Sequence, residues 1–166
     1  RDLAYEVDGN IYPYVAGFLL FGRDLIASGN FSSAFVRVQV LNTASTYKGN
    51  LWQQLQVISD LENEINTPFR LKGISSETVY PSPPLALKEL IVNALVHRRY
   101  DTTEPITIDV QPDHITITNP GGLLAPIHTQ LPEGISAEDA LGQHKIKAYR
   151  NPVIADFFIP FKPRCK

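Results

Sequence analysis

The spacing of apolar and polar positions changes several times along the chain, and each change marks an element. Val15 to Phe21 is a short apolar run bounded by Pro13 and Gly22, which fits either a buried strand or the start of a helix. From Ala34 to Leu41 the period is two, with Val36, Val38 and Val40 on one side and Arg37 and Gln39 on the other, so a half-buried strand is predicted. Asn42 to Asn50 is polar and turn-rich and reads as a loop. Leu51, Leu55, Ile58, Leu61 and Ile65 then keep helical spacing until Pro68 stops it. Phe69 to Val79 reads as one or two strands broken at Gly73. Ser82 and Pro83 supply an N-cap and a first-turn proline for a helix from about Pro83 to about His97.

Beyond that helix, Ile106, Ile108 and Val110 pair with Ile115 and Ile117 across the turn Gln111-Pro112-Asp113-His114, an antiparallel hairpin that delivers Asn119 and Gly121 to one end of a sheet. Leu124 to Tyr149 is rich in Pro, Gly and charge, with a short helix predicted from Ser136 to Leu141. Asn151-Pro152 starts a last helix through Phe158, and Pro160 and Pro163 break the chain after it. Strands interleaved with helices predict an α+β sandwich, a mixed sheet covered on one face by helices.

The helix ending at His97 carries the candidate chemistry. Glu89, Asn93 and His97 fall at i, i+4 and i+8, so they stack on one face while Leu87, Ile91, Ala94 and Leu95 point into a core. Asn is a poor helix former, and its place in mid-helix favours a specific role over an amide merely bonded to backbone. Glu89 reads as a functional carboxylate or as a solvated surface residue. His97 reads as a ligand-facing imidazole or as a donor closing the helix C-terminus. Arg98 and Arg99 carry the same two readings.

Composition narrows the options. With 166 residues and 43% hydrophobic content, the chain suffices for one globular core and is read as one domain, 1–166. A formal charge of −2 and a pI near 6.1 give no global attraction to nucleic acid, so DNA contact would be local or belong to other domains. The single cysteine, Cys165, cannot form an internal disulfide, and no apolar run reaches the length of about 20 residues that spans a bilayer. The cytoplasm is the expected compartment. The absence of any Met, an initiator included, reads as an excised fragment. There is no Gly-x-x-x-x-Gly-Lys-Ser/Thr loop, no helicase-type acidic box, no zinc spacing and no nucleophile elbow, so helicase activity is not supported.

Glu89 and Asn93, in the pattern Glu-x-x-x-Asn, together with Asn119-Pro120-Gly121-Gly122-Leu123 after the Ile115–Thr118 strand, resemble the nucleotide site of the GHKL superfamily of gyrase, MutL and histidine kinases. More narrowly, Ala16-Gly17-Phe18-Leu19-Leu20-Phe21-Gly22, Tyr80-Pro81, Asn93-Ala94-Leu95-Val96-His97-Arg98-Arg99-Tyr100, Asn119-Pro120-Gly121-Gly122-Leu123 and Arg150-Asn151-Pro152 look like the transcriptional regulators often labelled RecG-related. In that family such a domain usually sits between a schlafen/Alba-type domain and a winged helix, and neither is read in this chain.

The resemblance implies a two-layer sandwich with a mixed, mostly antiparallel sheet and ATP with Mg²⁺ as ligand or slow substrate. It implies Glu89 as the general base that activates water, Asn93 as the Mg²⁺ ligand, and Asn119 with Gly121 and Gly122 at the adenine edge. His97 and Arg98, read beside it as either phosphate contacts or donors closing the helix, are the remaining candidates for the nucleotide, and residues 124–149 would form a lid. Two departures stand out. Asn119 replaces the aspartate of better-known members, and Arg99 stands where the family usually has Asp. A glycine-rich phosphate segment, normally following the Arg-Asn-Pro helix, is not found after Phe158, so MgATP is expected to bind weakly or not at all. The alternative is a non-catalytic scaffold that homodimerises or links DNA-binding modules.

Overall fold

A computed structural model describes residues 3–65, 84–122 and 149–158. Its main sheet has four strands, β3 (Val36–Val40), β4 (Thr43–Tyr47), β5 (Ile106–Val110) and β6 (Ile115–Thr118), in the order β4-β3-β5-β6. The β3–β5 pair is parallel and the other two are antiparallel. Register sets Val36 beside Ile106, Val38 beside Ile108 and Ile108 beside Ile117, so the branched residues of three strands share one face. The opposite face carries Arg37, Gln39, Thr107, Asp109 and Thr116, which meet solvent.

Helices close the apolar face. They are α1 (Val15–Phe21), α2 (Leu51–Gln54), α3 (Gln56–Ile65), α4 (Pro84–His97) and α5 (Pro152–Phe158). Leu19 and Leu20 of α1, Leu51, Val57 and Leu61 of α2 and α3, and Ile154, Ala155 and Phe158 of α5 join the strand residues in one core. In α4 the buried set is wider than one stripe: Leu87, Ile91, Val92, Ala94, Leu95 and Val96 are all at most 6% exposed. The chain is thus an α+β two-layer sandwich with a mixed, mostly antiparallel sheet. Among the described residues no helix is long and apolar enough to cross a membrane.

The Ile106–Val110 and Ile115–Thr118 hairpin has the predicted bounds, α4 begins one residue after the expected Pro83, and α5 runs to Phe158 as expected. Val15 to Phe21 resolves to a helix. The Asn42–Asn50 segment is not a loop, because Thr43–Tyr47 forms the edge strand β4. Its core-side positions are Thr43, Ser45 and Tyr47, opposite Val40, Val38 and Val36, so the strand has no apolar alternation to read.

The expected helix from Leu51 is divided at Leu55, which keeps helical dihedrals (φ −63°, ψ −16°). Ile58 N–H bonds Leu55 O at 3.0 Å, a tighter turn within the run. A hairpin of β1 (Ala4–Val7) and β2 (Asn10–Pro13) was not anticipated. Its turn is Asp8-Gly9, both at positive φ (50° and 77°), the residue pair such a tight turn favours. The expected strands in Phe69–Val79, the Ser82-Pro83 cap, the Ser136–Leu141 helix and the 124–148 part of the lid lie outside the described residues.

Candidate functional site

Glu89, Asn93 and His97 are each half-buried on α4, while their neighbours Ile91, Val92, Ala94, Leu95 and Val96 are buried. The part of the helix from Ile91 on is thus embedded except at Asn93 and His97, while Leu85 and Leu90 farther up are exposed. His97 stacks on Tyr149, with ring centroids 5.5 Å apart and planes 23° from parallel, which fixes the imidazole beside the segment leading into α5.

Below His97 several segments are tied together. Arg99 N–H donates to Pro120 O at 2.9 Å, joining the end of α4 to the turn that follows β6. Asn151 Nδ2 donates to Val96 O and Arg98 O, both at 2.8 Å, supplying partners for carbonyls that a helix C-terminus leaves open. Arg150 Nη2 donates to Gly122 O at 2.7 Å. Gly121 sits at φ +116°, and a Cβ there would meet Arg99 Cβ at 3.0 Å and the Arg150 guanidinium at 3.5 Å. Only glycine fits this turn without strain.

Asn119, at the start of that turn, is half-buried, and its Oδ1 is buried with no hydrogen-bond partner among the described residues. An acceptor removed from water without a donor costs about 1–3 kcal/mol, and such an atom calls for an explanation. Electrostatics near the turn are mixed. Exposed Arg99 grips Asp101 with two bonds, Nε to Oδ1 at 2.8 Å and Nη2 to Oδ2 at 3.1 Å. That guanidinium holds the Asp101 carboxyl below its usual range, with Arg150 adding to the effect. Arg99 is therefore already paired.

Arg98 corrects the sequence reading. It is 0% exposed, so it does not present its charge to a nucleotide. Its guanidinium donates to Ser33 O, to Phe35 O at 3.2 Å and to Glu104 O at 2.8 Å, and it lies 5.3 Å from the Tyr100 ring centre. Burial lowers its pKa. Arg98 fastens the strand-entry segments to the end of α4. Tyr100 OH donates to Leu95 O at 2.7 Å, and burial pushes its pKa up.

The structure thus brings His97, Asn119, Gly121 and Gly122 to one region around the end of α4, with Asn93 one turn above His97 and Glu89 two turns above. Arg150 was missed as a contributor. The Arg150-Asn151-Pro152 motif marked the position, but only the fold shows its side chain on Gly122. Among the described residues no cluster of three or more His, Cys, Asp or Glu could hold a metal ion. An open cleft of about 430 Å³ lined by Arg23, Asp24, Ile26, Lys48, Gly49 and Gln53 contains none of the residues singled out in the sequence. Its lining bears no catalytic grouping, and the α4 region is the better candidate on chemistry.

No family model and no curated protein matches the chain. Among solved structures, the crystal structure of the DIP2311 protein from Corynebacterium diphtheriae is similar, with 22% identity and a TM-score of 0.59 over 88% of this chain. At that identity the likeness concerns the fold alone. The chain spans 27% of the length of that protein's chain.

Proposed function

We propose that the chain is a GHKL-like domain that binds ATP with Mg²⁺, of the kind found in RecG-related bacterial transcriptional regulators, acting in the cytoplasm and meeting DNA through other domains. The observation that carries this reading is the buried, unpartnered Asn119 Oδ1 beside the glycine turn. A stranded acceptor fits a ligand amino group such as that of adenine, and at Gly122, where a Cβ would meet nothing within 4 Å, the backbone is open to approach. Mg²⁺ takes few protein ligands and keeps phosphate and water for the rest, so a single amide from Asn93 suits it better than a carboxylate cluster would. Glu89, half-buried one turn before Asn93 on the same stripe, would orient and deprotonate a water.

Calorimetric titration with ATP, with and without Mg²⁺, tests the proposal. Weak binding that Mg²⁺ strengthens is expected, and Asn93→Ala should remove the strengthening while leaving metal-free binding unchanged. No ATP binding under either condition would sink the reading. The scaffold reading would then lead, and one observation favours it: Tyr5 stacks on Tyr12 across the β1–β2 hairpin and meets Tyr14 just beyond it at a tilt, each 44–46% exposed, with Ile11 76% exposed on the other face. A homodimer formed through that face would appear in sedimentation and be lost in Tyr5→Ser.

A further inference from the structure

We propose that the cleft between residues 23–26 and 48–53 is a second binding site, one that takes the phosphoryl group of a small molecule between Arg23 and Lys48. The cleft holds about 430 Å³ and is lined by Arg23, Asp24, Ile26, Lys48, Gly49 and Gln53. That volume lies in the range of small-molecule sites and exceeds what one tetrahedral ion fills, so it admits a phosphorylated organic molecule as well as the free ion. None of the lining residues belongs to the α4 region. This site therefore stands or falls separately from the nucleotide reading.

The charge of the lining runs against that of the chain. The chain carries a formal charge of −2, whereas two cations and one carboxylate line the cleft. The Asp24 carboxylate is turned to its own backbone, its Oδ1 accepting from the Ile26 and Ala27 N–H groups, both at 3.0 Å. Among the described residues neither Arg23 nor Lys48 is paired with a carboxylate. Arginine offers a planar fork that fits phosphate with two parallel bonds, and lysine offers a compact charge with three donors. Together they suit a phosphate dianion better than a lone carboxylate, which one arginine would satisfy. Gln53 adds to the donors, because its Oε1 is taken by Asn50 N–H at 2.9 Å and its Nε2 is not needed for that bond.

The two cations come from segments that the fold pins together. Asn50 Nδ2 donates to Gly22 O at 3.2 Å, next to Arg23 on one segment and two residues from Lys48 on the other. Gln54, 0% exposed, donates to Gly49 O at 2.9 Å and to Ala34 O at 2.6 Å, which fastens the residue after Lys48 to the stretch entering β3. The backbones carrying Arg23 and Lys48 are thus set before any ligand arrives. Only the two long side chains need to be ordered on binding, a smaller cost than assembling the cleft.

The test is an NMR titration of the full chain with inorganic phosphate, glycerol 3-phosphate and acetate, at constant ionic strength because exposed charges are screened by salt. Two charge-assisted contacts predict saturable phosphate binding with a dissociation constant on the order of 1 mM, and acetate at least about tenfold weaker. Glycerol 3-phosphate bound more tightly than phosphate would identify an organic phosphomonoester as the ligand, and equal binding would identify the free ion; either supports a phosphoryl site. Arg23 and Lys48 are exposed, so Arg23→Gln and Lys48→Gln should fold normally and each weaken phosphate at least about fivefold. Arg37→Gln, on the solvent-facing side of β3, should leave it unchanged. Absence of saturable binding, acetate as tight as phosphate, binding unmoved in both cleft variants, or a loss in Arg37→Gln as large as theirs overturns the inference. Each of these leaves the nucleotide reading untouched, since that reading is tested by ATP and Asn93→Ala.

Discussion

A single side chain, Arg98, holds together parts of the chain more than sixty residues apart, since its guanidinium reaches Ser33 O and Phe35 O as well as Glu104 O. A buried cation costs desolvation, and here carbonyl dipoles and the Tyr100 ring offset it. Arg98→Met keeps most of the volume but strands three carbonyls. We expect it to lower unfolding free energy by about 2–5 kcal/mol, read from the urea midpoint at an unchanged slope. A loss under about 0.5 kcal/mol would show that water replaces the guanidinium and that the arginine is not structural. The buried role was not legible in the sequence. Arg98 directly follows the end of α4, where a cation is expected to meet solvent or the helix end, and two of its partners, Ser33 O and Phe35 O, come from a distant segment that no local spacing reveals. Asn93 and Glu89 were legible because their spacing alone sets them on one half-buried stripe.

At the scale of elements, what could be read in advance depended on whether a segment buries an apolar face. The β5–β6 hairpin and α4 bury theirs, and their periods of two and about 3.6 gave both position and type. Strand β4 lies at the sheet edge with Thr43, Ser45 and Tyr47 on its inner side, so its strand character resides in pairing with β3 and in β-favouring Thr and Tyr rather than in alternation. The β1–β2 hairpin buries almost nothing, and its only sequence mark is Asp8-Gly9.

The turn after β6 is the element on which the candidate site depends. Gly121→Ala would force a Cβ to within 3.0 Å of Arg99 Cβ at a φ of +116°. The expected cost is about 1–3 kcal/mol, with a parallel loss of nucleotide affinity as the turn shifts away from Asn119. Alanine tolerated there with both stability and affinity unchanged would mean that the turn does not position the site.

For the molecule as a whole, the proposed binding and catalysis can be separated because they would rest on different residues of one helix. A ligand at ten times its dissociation constant adds about 1.4 kcal/mol to stability, which for a domain of this size raises the melting temperature by about 3–6 °C. The chain with MgATP at that excess should show a rise of that order, and its Mg²⁺-dependent part should vanish in Asn93→Ala. Glu89→Ala should behave differently. A general base contacts the attacking water rather than the bound nucleotide, so its removal should leave the thermal shift close to that of the unaltered chain. Any hydrolysis present should fall by about 10²–10⁴-fold, the usual contribution of a positioned base. If Glu89→Ala instead abolished the shift, Glu89 would belong to binding. If it changed neither shift nor turnover, the carboxylate would be a surface group, and its alignment with Asn93 on α4 would reflect helical spacing alone.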